Sequence, residues 1–219
     1  MKNKLHERPC SYWLRDRFKD RPLSHSQLES FKYDEDRWFN TYILGEKVEP
    51  NATMRFGTLV GDSIGTDKSM VPELTPPGVK EYKLTGYIRD NLGDIHLVGY
   101  ADHYCDQTLV LHENKTSDNR KKWNQESVDK HPQLTMYALL LFTQDKISPK
   151  DLKMFLNYIP TELTGVNYRL PDPVEYFQWE TKRTNLQVAE YVQYIKDTVA
   201  DMDMVIKLRY ESTRTGLRK

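Results

Sequence analysis

Asp102, Glu113 and Lys115 are the side chains of this 219-residue chain whose types and spacing point most directly to chemistry. They fall around two runs that read as one β-hairpin. Residues 95–101 (Ile-His-Leu-Val-Gly-Tyr-Ala) and 108–113 (Thr-Leu-Val-Leu-His-Glu) have strand composition, and Cys105-Asp106-Gln107 supplies a polar turn between them. Side chains alternate along a strand, so Glu113 and Lys115 share a face while Asn114 points away. Asp102 stands at the end of the partner strand, within approach of both. Two carboxylates hold a hard divalent cation through oxygen, and the backbone carbonyl of Asn114 offers a further ligand. A lysine beside such an ion orients or deprotonates a water. The implied chemistry is metal-assisted cleavage of a phosphodiester. Against it stands the plainer reading of a strand-end aspartate and an exposed Glu113–Lys115 charge pair.

Asp102 followed by Glu113-Asn114-Lys115 after a hairpin resembles the core motif of the PD-(D/E)XK nuclease superfamily. Ser24-His25-Ser26-Gln27-Leu28-Glu29-Ser30-Phe31 is similar to the opening Ser-x-Ser-x-Leu-x-x-Phe helix of its RecB-like exonuclease branch. Phe56-Gly57-Thr58-Leu59-Val60 is similar to the Gly-Thr-x-x-His segment of that branch, and Gln133-Leu134-Thr135-Met136-Tyr137 to its Gln-x-x-x-Tyr signature. The matches keep the family's order across residues 24–140. The resemblance implies an α/β fold with a restriction-endonuclease-like core, a mixed central β-sheet flanked by helices. It implies a Mg²⁺- or Mn²⁺-dependent DNA nuclease, exonucleolytic by expectation, acting in recombination, repair or phage DNA processing. Asp102 and Glu113 would bind the metal with the Asn114 carbonyl, and Lys115 would act on the water. Gln133 and Tyr137, four apart on one helix face, would hold the scissile strand.

Two departures qualify the resemblance. The motif histidine falls at position 61, where this chain has Gly61. Asp62 is a candidate substitute ligand, although a one-residue step on a helix swings a side chain by ~100°. Relatives with an iron–sulfur cluster carry four cysteines, one near the position of Asp34. This chain has only Cys10 and Cys105, so no such cluster is expected within one chain. Gly61 motivates an alternative, a catalytically impaired DNA-binding module on the same fold. A structural subunit with ordinary surface acids is the other rival. Nothing resembles a helicase, so any helicase or single-strand annealing partner would be a separate chain.

DNA contacts are expected from Arg120, Lys121, Lys122 and Trp123, which trail the Glu113–Lys115 strand. They read equally as a solvated loop or as a phosphate grip with Trp123 stacking on an unpaired base. Thr116 either caps the next turn or touches a phosphate, and Ser26 is counted with the DNA contacts. The 32 basic and 32 acidic residues balance, so attraction to DNA must come from local patches. His96, His103, His112 and His131 are scattered without zinc spacing.

Length suits one domain, and 4 Trp, 14 Tyr and 7 Phe supply core material. Two distant cysteines fit a reducing compartment. No apolar run reaches the roughly 20 residues of a membrane span, and the first residues lack a signal-peptide core. The expected setting is the cytoplasm of a bacterial or phage-infected cell. Residues 1–23 read as an N-terminal extension, 24–210 as the nuclease domain and 211–219 as a flexible tail. A helix capped by Ser24 or Ser26 should run to Leu44 and end at Gly45, with a second helix over 52–65. The loop 66–79 precedes strands near 80–88, 95–101 and 108–114. Pro132 should open a helix to Phe142, followed by strands over 153–160 and 174–179 and a long final helix capped by Thr184.

Overall fold

Period-two patterning builds the centre of the molecule, a mixed sheet that the computed structural model describes within residues 10–216. Strands β1 (Val79–Ile88) and β2 (Ile95–Cys105) form a long antiparallel hairpin, from Val79↔Tyr104 to Ile88↔Ile95. Strand β3 (Val110–Ser117) returns antiparallel to β2 and then pairs in parallel with β4 (Lys153–Pro160) along its whole length. Strand β7 (Phe177–Thr181) adds antiparallel to β4, giving the order β1-β2-β3-β4-β7. A separate two-stranded hairpin, β5 (Glu162–Thr164) with β6 (Asn167–Arg169), has no counterpart in the sequence reading, because its short polar strands carry no alternation. Strand β7 begins at Phe177 rather than Val174.

Helices cover both faces, making this an α/β fold. Helix α6 (Pro132–Asp145), which follows the short α5 (Gln125–Asp129), carries a continuous buried run from Leu134 to Leu141 and packs on β1 and β2. Helix α4 (Ala52–Ser63), capped by the Asn51 side chain on the Met54 N–H, lies by β3 with Val60, Ile64 and Ile159 in a small second core. Helix α7 (Asn185–Gly216) packs on α6 and on α1 (Cys10–Asp20) through Val188, Ile195, Val199, Met202 and Ile206. Thr184 and Gln187 cap α7 reciprocally: the Thr184 hydroxyl accepts from the Gln187 N–H, and the Gln187 side chain from the Thr184 N–H.

The segment expected as one helix to Leu44 breaks in two. Helix α2 (His25–Tyr33), capped by Ser24, stops at Asp34, whose carboxylate accepts from the Arg37 N–H and starts α3 (Glu35–Trp38). A short-range side-chain acceptor here outcompetes helix continuation. A π-turn over Phe39–Leu44 follows and ends at left-handed Gly45; Arg17 takes up the carbonyls of Tyr42 and Ile43. Of the arm expected over 1–23, residues 1–9 lie outside the described residues. The remainder holds α1, whose Leu14 and Phe18 sit in the main core, and Leu23, which bridges to β2 at Leu97. Of the tail expected from 211, residues 211–216 continue α7 and 217–219 lie outside the described residues.

The feature that positions the candidate site is a fork in the sheet. The β2–β3 ladder runs from Cys105↔Val110 only to His103↔His112. Beyond it β2 stays with β1 while β3 continues along β4. The β2 edge that β3 leaves is met by Leu23, which donates to the His96 carbonyl and accepts from the Val98 N–H. Asp102 was expected at the end of its strand. It stands instead inside β2, at the mouth of the fork, because β2 runs on to Cys105.

Candidate active site

Cross-strand neighbours share a face of a sheet. Glu113 and Lys115 lie opposite Leu156 and Tyr158, on the face toward α6. Asn114 and Thr116 lie opposite Asn157 and Ile159, on the face under α4. Where the β2–β3 ladder has parted, the Asp102 carboxylate replaces a backbone partner. Its Oδ2 accepts from the Asn114 N–H at 2.5 Å. The Asn114 side chain is held from the other face, accepting from Asn157 Nδ2 at 2.8 Å, while Asn157 Oδ1 accepts from Gln178 Nε2 at 2.8 Å.

On the α6 side four side chains close a ring. Lys115 Nζ donates to Glu113 Oε1 at 2.6 Å and to Gln133 Oε1 at 2.8 Å. Gln133 Nε2 donates to the Tyr137 hydroxyl at 2.6 Å, and that hydroxyl lies 3.0 Å from Glu113 Oε2 and 2.6 Å from the Tyr100 carbonyl. The single Tyr137 proton serves one of these two acceptors at a time. Helical i,i+4 spacing aligns Gln133 and Tyr137. Gly99 lets the Tyr137 ring lie down on β2, since a Cβ there would stand 2.8 Å from Tyr137 Cε1. The start of α6 is fixed by buried Arg183, which donates to the carbonyls of Val128 and His131 and to the Thr135 hydroxyl.

A cleft of about 420 Å³ opens beside this ring, lined by Asp102, Glu113, Lys115 and Thr116 from the fork and by Gly57 and Gly61 from α4. Asp62 and the Asn114 residue also line it. Helix α4 comes this close because residue 57 is glycine: a Cβ would stand 2.9 Å from the Thr116 hydroxyl. Sequence reasoning missed Glu81, a fourth acid of the cleft beside Asp62, Asp102 and Glu113. It lies on β1 opposite Asp102 of β2, between the pairs Lys80↔His103 and Tyr82↔Ala101, with a left-handed φ of 51°. No sequence pattern marks that turn of the backbone.

The electrostatics favour a cation. Burial pushes the Asp102 carboxyl well above its ordinary range; Glu113 adds to the rise, the Asn114 N–H and Lys115 oppose it, and Glu81 adds further. Burial works against the Lys115 charge, but Glu113 and Asp102 outweigh it and raise its pKa, so the ammonium stays protonated. The Tyr137 phenol is pushed far up by burial and the two acids, so it stays a donor. The converging oxygens are hard donors, and their mutual repulsion is what a divalent ion relieves. Among the described residues no three His, Cys, Asp or Glu side chains are gathered to hold a metal by themselves. Asp102 and Glu113 would therefore be completed by the Asn114 carbonyl and water.

Other expected site residues stand apart from the cleft. Arg120 pairs with Glu175 at 2.6 Å, and Lys121 and Lys122 are exposed. Trp123 is half-buried, its ring 5.0 Å from that of His131, with the Lys122 ammonium 5.5 Å above it. Ser26 is exposed, 2.9 Å from the Ser24 hydroxyl. His25 and His131 approach the Lys115 side; burial, then the Lys115 charge, lowers their pKa values to about 4 and about 3. No helix among the described residues is long and apolar enough to cross a membrane.

Among solved structures, the chain is similar to a phage-related exonuclease from Haemophilus somnus, at 13% identity over 91% of this chain and 95% of that one, with a TM-score of 0.49. It is also similar to an alkaline exonuclease from Laribacter hongkongensis, at 15% identity over 91% of this chain and 98% of that one, with a TM-score of 0.48. No family model and no curated protein matches the sequence.

Proposed function

We propose that the chain is a PD-(D/E)XK-type DNA nuclease that uses Mg²⁺ or Mn²⁺ and acts as an exonuclease. The observation that carries this reading is the closed ring Lys115–Glu113–Tyr137–Gln133, whose Glu113 and Lys115 line a cleft together with Asp102. Asp102, Glu113 and the Asn114 carbonyl would hold the ion. A bound divalent ion supplies Lewis-acid stabilisation of charge developing on the phosphate. Lys115, held as an ammonium, orients the attacking water and offsets charge rather than removing a proton. Gln133 and Tyr137 act on the machinery: they fix Lys115 and Glu113 instead of gripping the strand. Thr116 lines the cleft floor, within reach of a phosphate oxygen. DNA is the substrate of this reading, with any helicase or annealing protein a separate chain. Recombination, repair or phage DNA processing in a bacterial or phage-infected cytoplasm is its setting.

A second reading, a DNA-binding module that does not cut, is favoured by Gly61. A Cβ at this position would meet nothing within 4 Å, so the α4 wall of the cleft lacks a side chain there. Incubation of end-labelled linear DNA beside a closed circle, with Mn²⁺, Mg²⁺ or EDTA, separates the two. The nuclease reading expects linear DNA to be lost in metal, kept in EDTA, and the circle spared. DNA retarded in a gel but uncut in every metal supports the second reading. In that case Gly61→His, which the open space admits, should restore cleavage.

A further inference from the structure

The register of the sheet continues the catalytic row outward. Lys115 pairs with Tyr158 on β4, and Tyr158 with Phe177 on the edge strand β7. One step along the sheet, Glu113 pairs with Leu156 and Leu156 with Trp179. All six therefore share the face that carries Lys115. Two strand spacings separate Lys115 from Phe177, roughly 10 Å. The Tyr158, Phe177 and Trp179 rings stand nearly parallel, at 21°, 22° and 26° to one another with centroids 6.2–6.5 Å apart. Tyr158 is buried and anchored on the Ser117 carbonyl, but Phe177 is 43% exposed and Trp179 half-buried.

A cationic loop borders these rings. Arg120 ties the loop after β3 to Glu175, two residues before Phe177, and its charge reaches Tyr158. Asp118 and Glu175 offset part of the loop's charge. Lys121 and Lys122 are exposed and, among the described residues, in no ion pair. Trp123, the ring to which the sequence points, already packs on His131 beneath Lys122. The exposed ring bordering this loop is Phe177 of β7, with Trp179 half-buried beside it. Stacking rings flanked by lysines suit an unpaired strand, whose bases offer flat faces and whose phosphates carry charge.

We propose that Phe177 and Trp179 form a stacking platform for an unpaired nucleotide of the strand whose phosphodiester lies at Lys115, so that the substrate of this site is single-stranded or frayed DNA. The proposal rests on the nuclease reading above. Its test is the affinity of a fluorescein-labelled oligothymidylate, measured by anisotropy in EDTA so that nothing is cut, beside a blunt duplex. Phe177→Ala should lower single-strand affinity about tenfold, the scale of one lost base–aromatic stack. Phe177→Tyr should hold it, and duplex affinity should stay put. Trp179→Leu provides a second, independent loss, and circular dichroism confirms that each variant folds. Wild-type hydrolysis in Mn²⁺ of bis(4-nitrophenyl) phosphate, a diester too short to span from Lys115 to Phe177, tests the nuclease reading apart from the platform. Equal single-strand affinity across wild type, Phe177→Ala and Trp179→Leu overturns the platform. No hydrolysis by the wild type overturns the nuclease reading instead, and the single-strand affinities still decide the platform.

Discussion

Tyr137 has one hydroxyl proton and two acceptors for it, the Glu113 carboxylate and the Tyr100 carbonyl, while Gln133 donates to the same oxygen. Removing the oxygen leaves Gln133 without that partner and frees Glu113 to turn. Tyr137→Phe should therefore cost about 1 kcal/mol of stability and lower the cleavage rate about tenfold, with DNA affinity unchanged. Thermal unfolding and single-turnover kinetics check the two parts. A variant that loses affinity but not rate would mean that Tyr137 grips the strand. The Gln133–Tyr137 pair was readable because i,i+4 spacing fixes a shared helix face. What they touch was not, because the fork that brings Glu113 under Tyr137 is a tertiary event. Glu81 was hidden for the same reason: its place opposite Asp102 depends on pairing 21 residues away in sequence and on a left-handed φ.

Helix α4 meets β3 through a glycine on a threonine. Helix propensity alone would favour alanine at position 57 by about 1 kcal/mol. The 2.9 Å approach of that Cβ to the Thr116 hydroxyl reverses the sign. Gly57→Ala should destabilise by about 1–3 kcal/mol, the usual cost of overpacking, and widen the cleft by lifting α4. Adding Thr116→Ala removes the clashing atom and should recover most of the loss. Urea unfolding of both variants tests this, and an unrescued double variant would place the strain elsewhere. The sequence placed α4, α6 and the strands β1 to β4 well, since long periodic runs are locally encoded. It joined α2 to α3 because apolar spacing continues through Asp34, and only the side-chain cap on Arg37 shows the break.

At the scale of the whole molecule, stability draws on buried polar groups. His112, 5% exposed, has its pKa lowered from 6.5 to about 4 by burial, against the raising effect of Asn157. Folded, it is neutral over a range where the unfolded chain takes up a proton. Its contribution is complete above pH 6.5 and fades as pH falls toward 4, up to about 3 kcal/mol. His25 and His131, also lowered, carry the same sign. Urea midpoints should therefore drop between pH 7.5 and pH 4.5. His112→Gln, which keeps an acceptor for Asn157, should show a smaller drop; an equal one would acquit His112. How α1 enters the main core and how β2 parts from β3 were beyond local pattern, because both depend on which edges and faces are left uncovered once the sheet assembles. In the proposed nuclease, Asp102, Glu113 and Lys115 make one metal-dependent hydrolytic site. The most direct test is single-turnover cleavage of an end-labelled DNA strand in saturating Mn²⁺ by wild type beside Lys115→Ala, with folding checked by circular dichroism. Cleavage by the wild type and a loss of at least about 100-fold in the folded variant are expected; equal rates in the two would mean that Lys115 takes no part in the reaction.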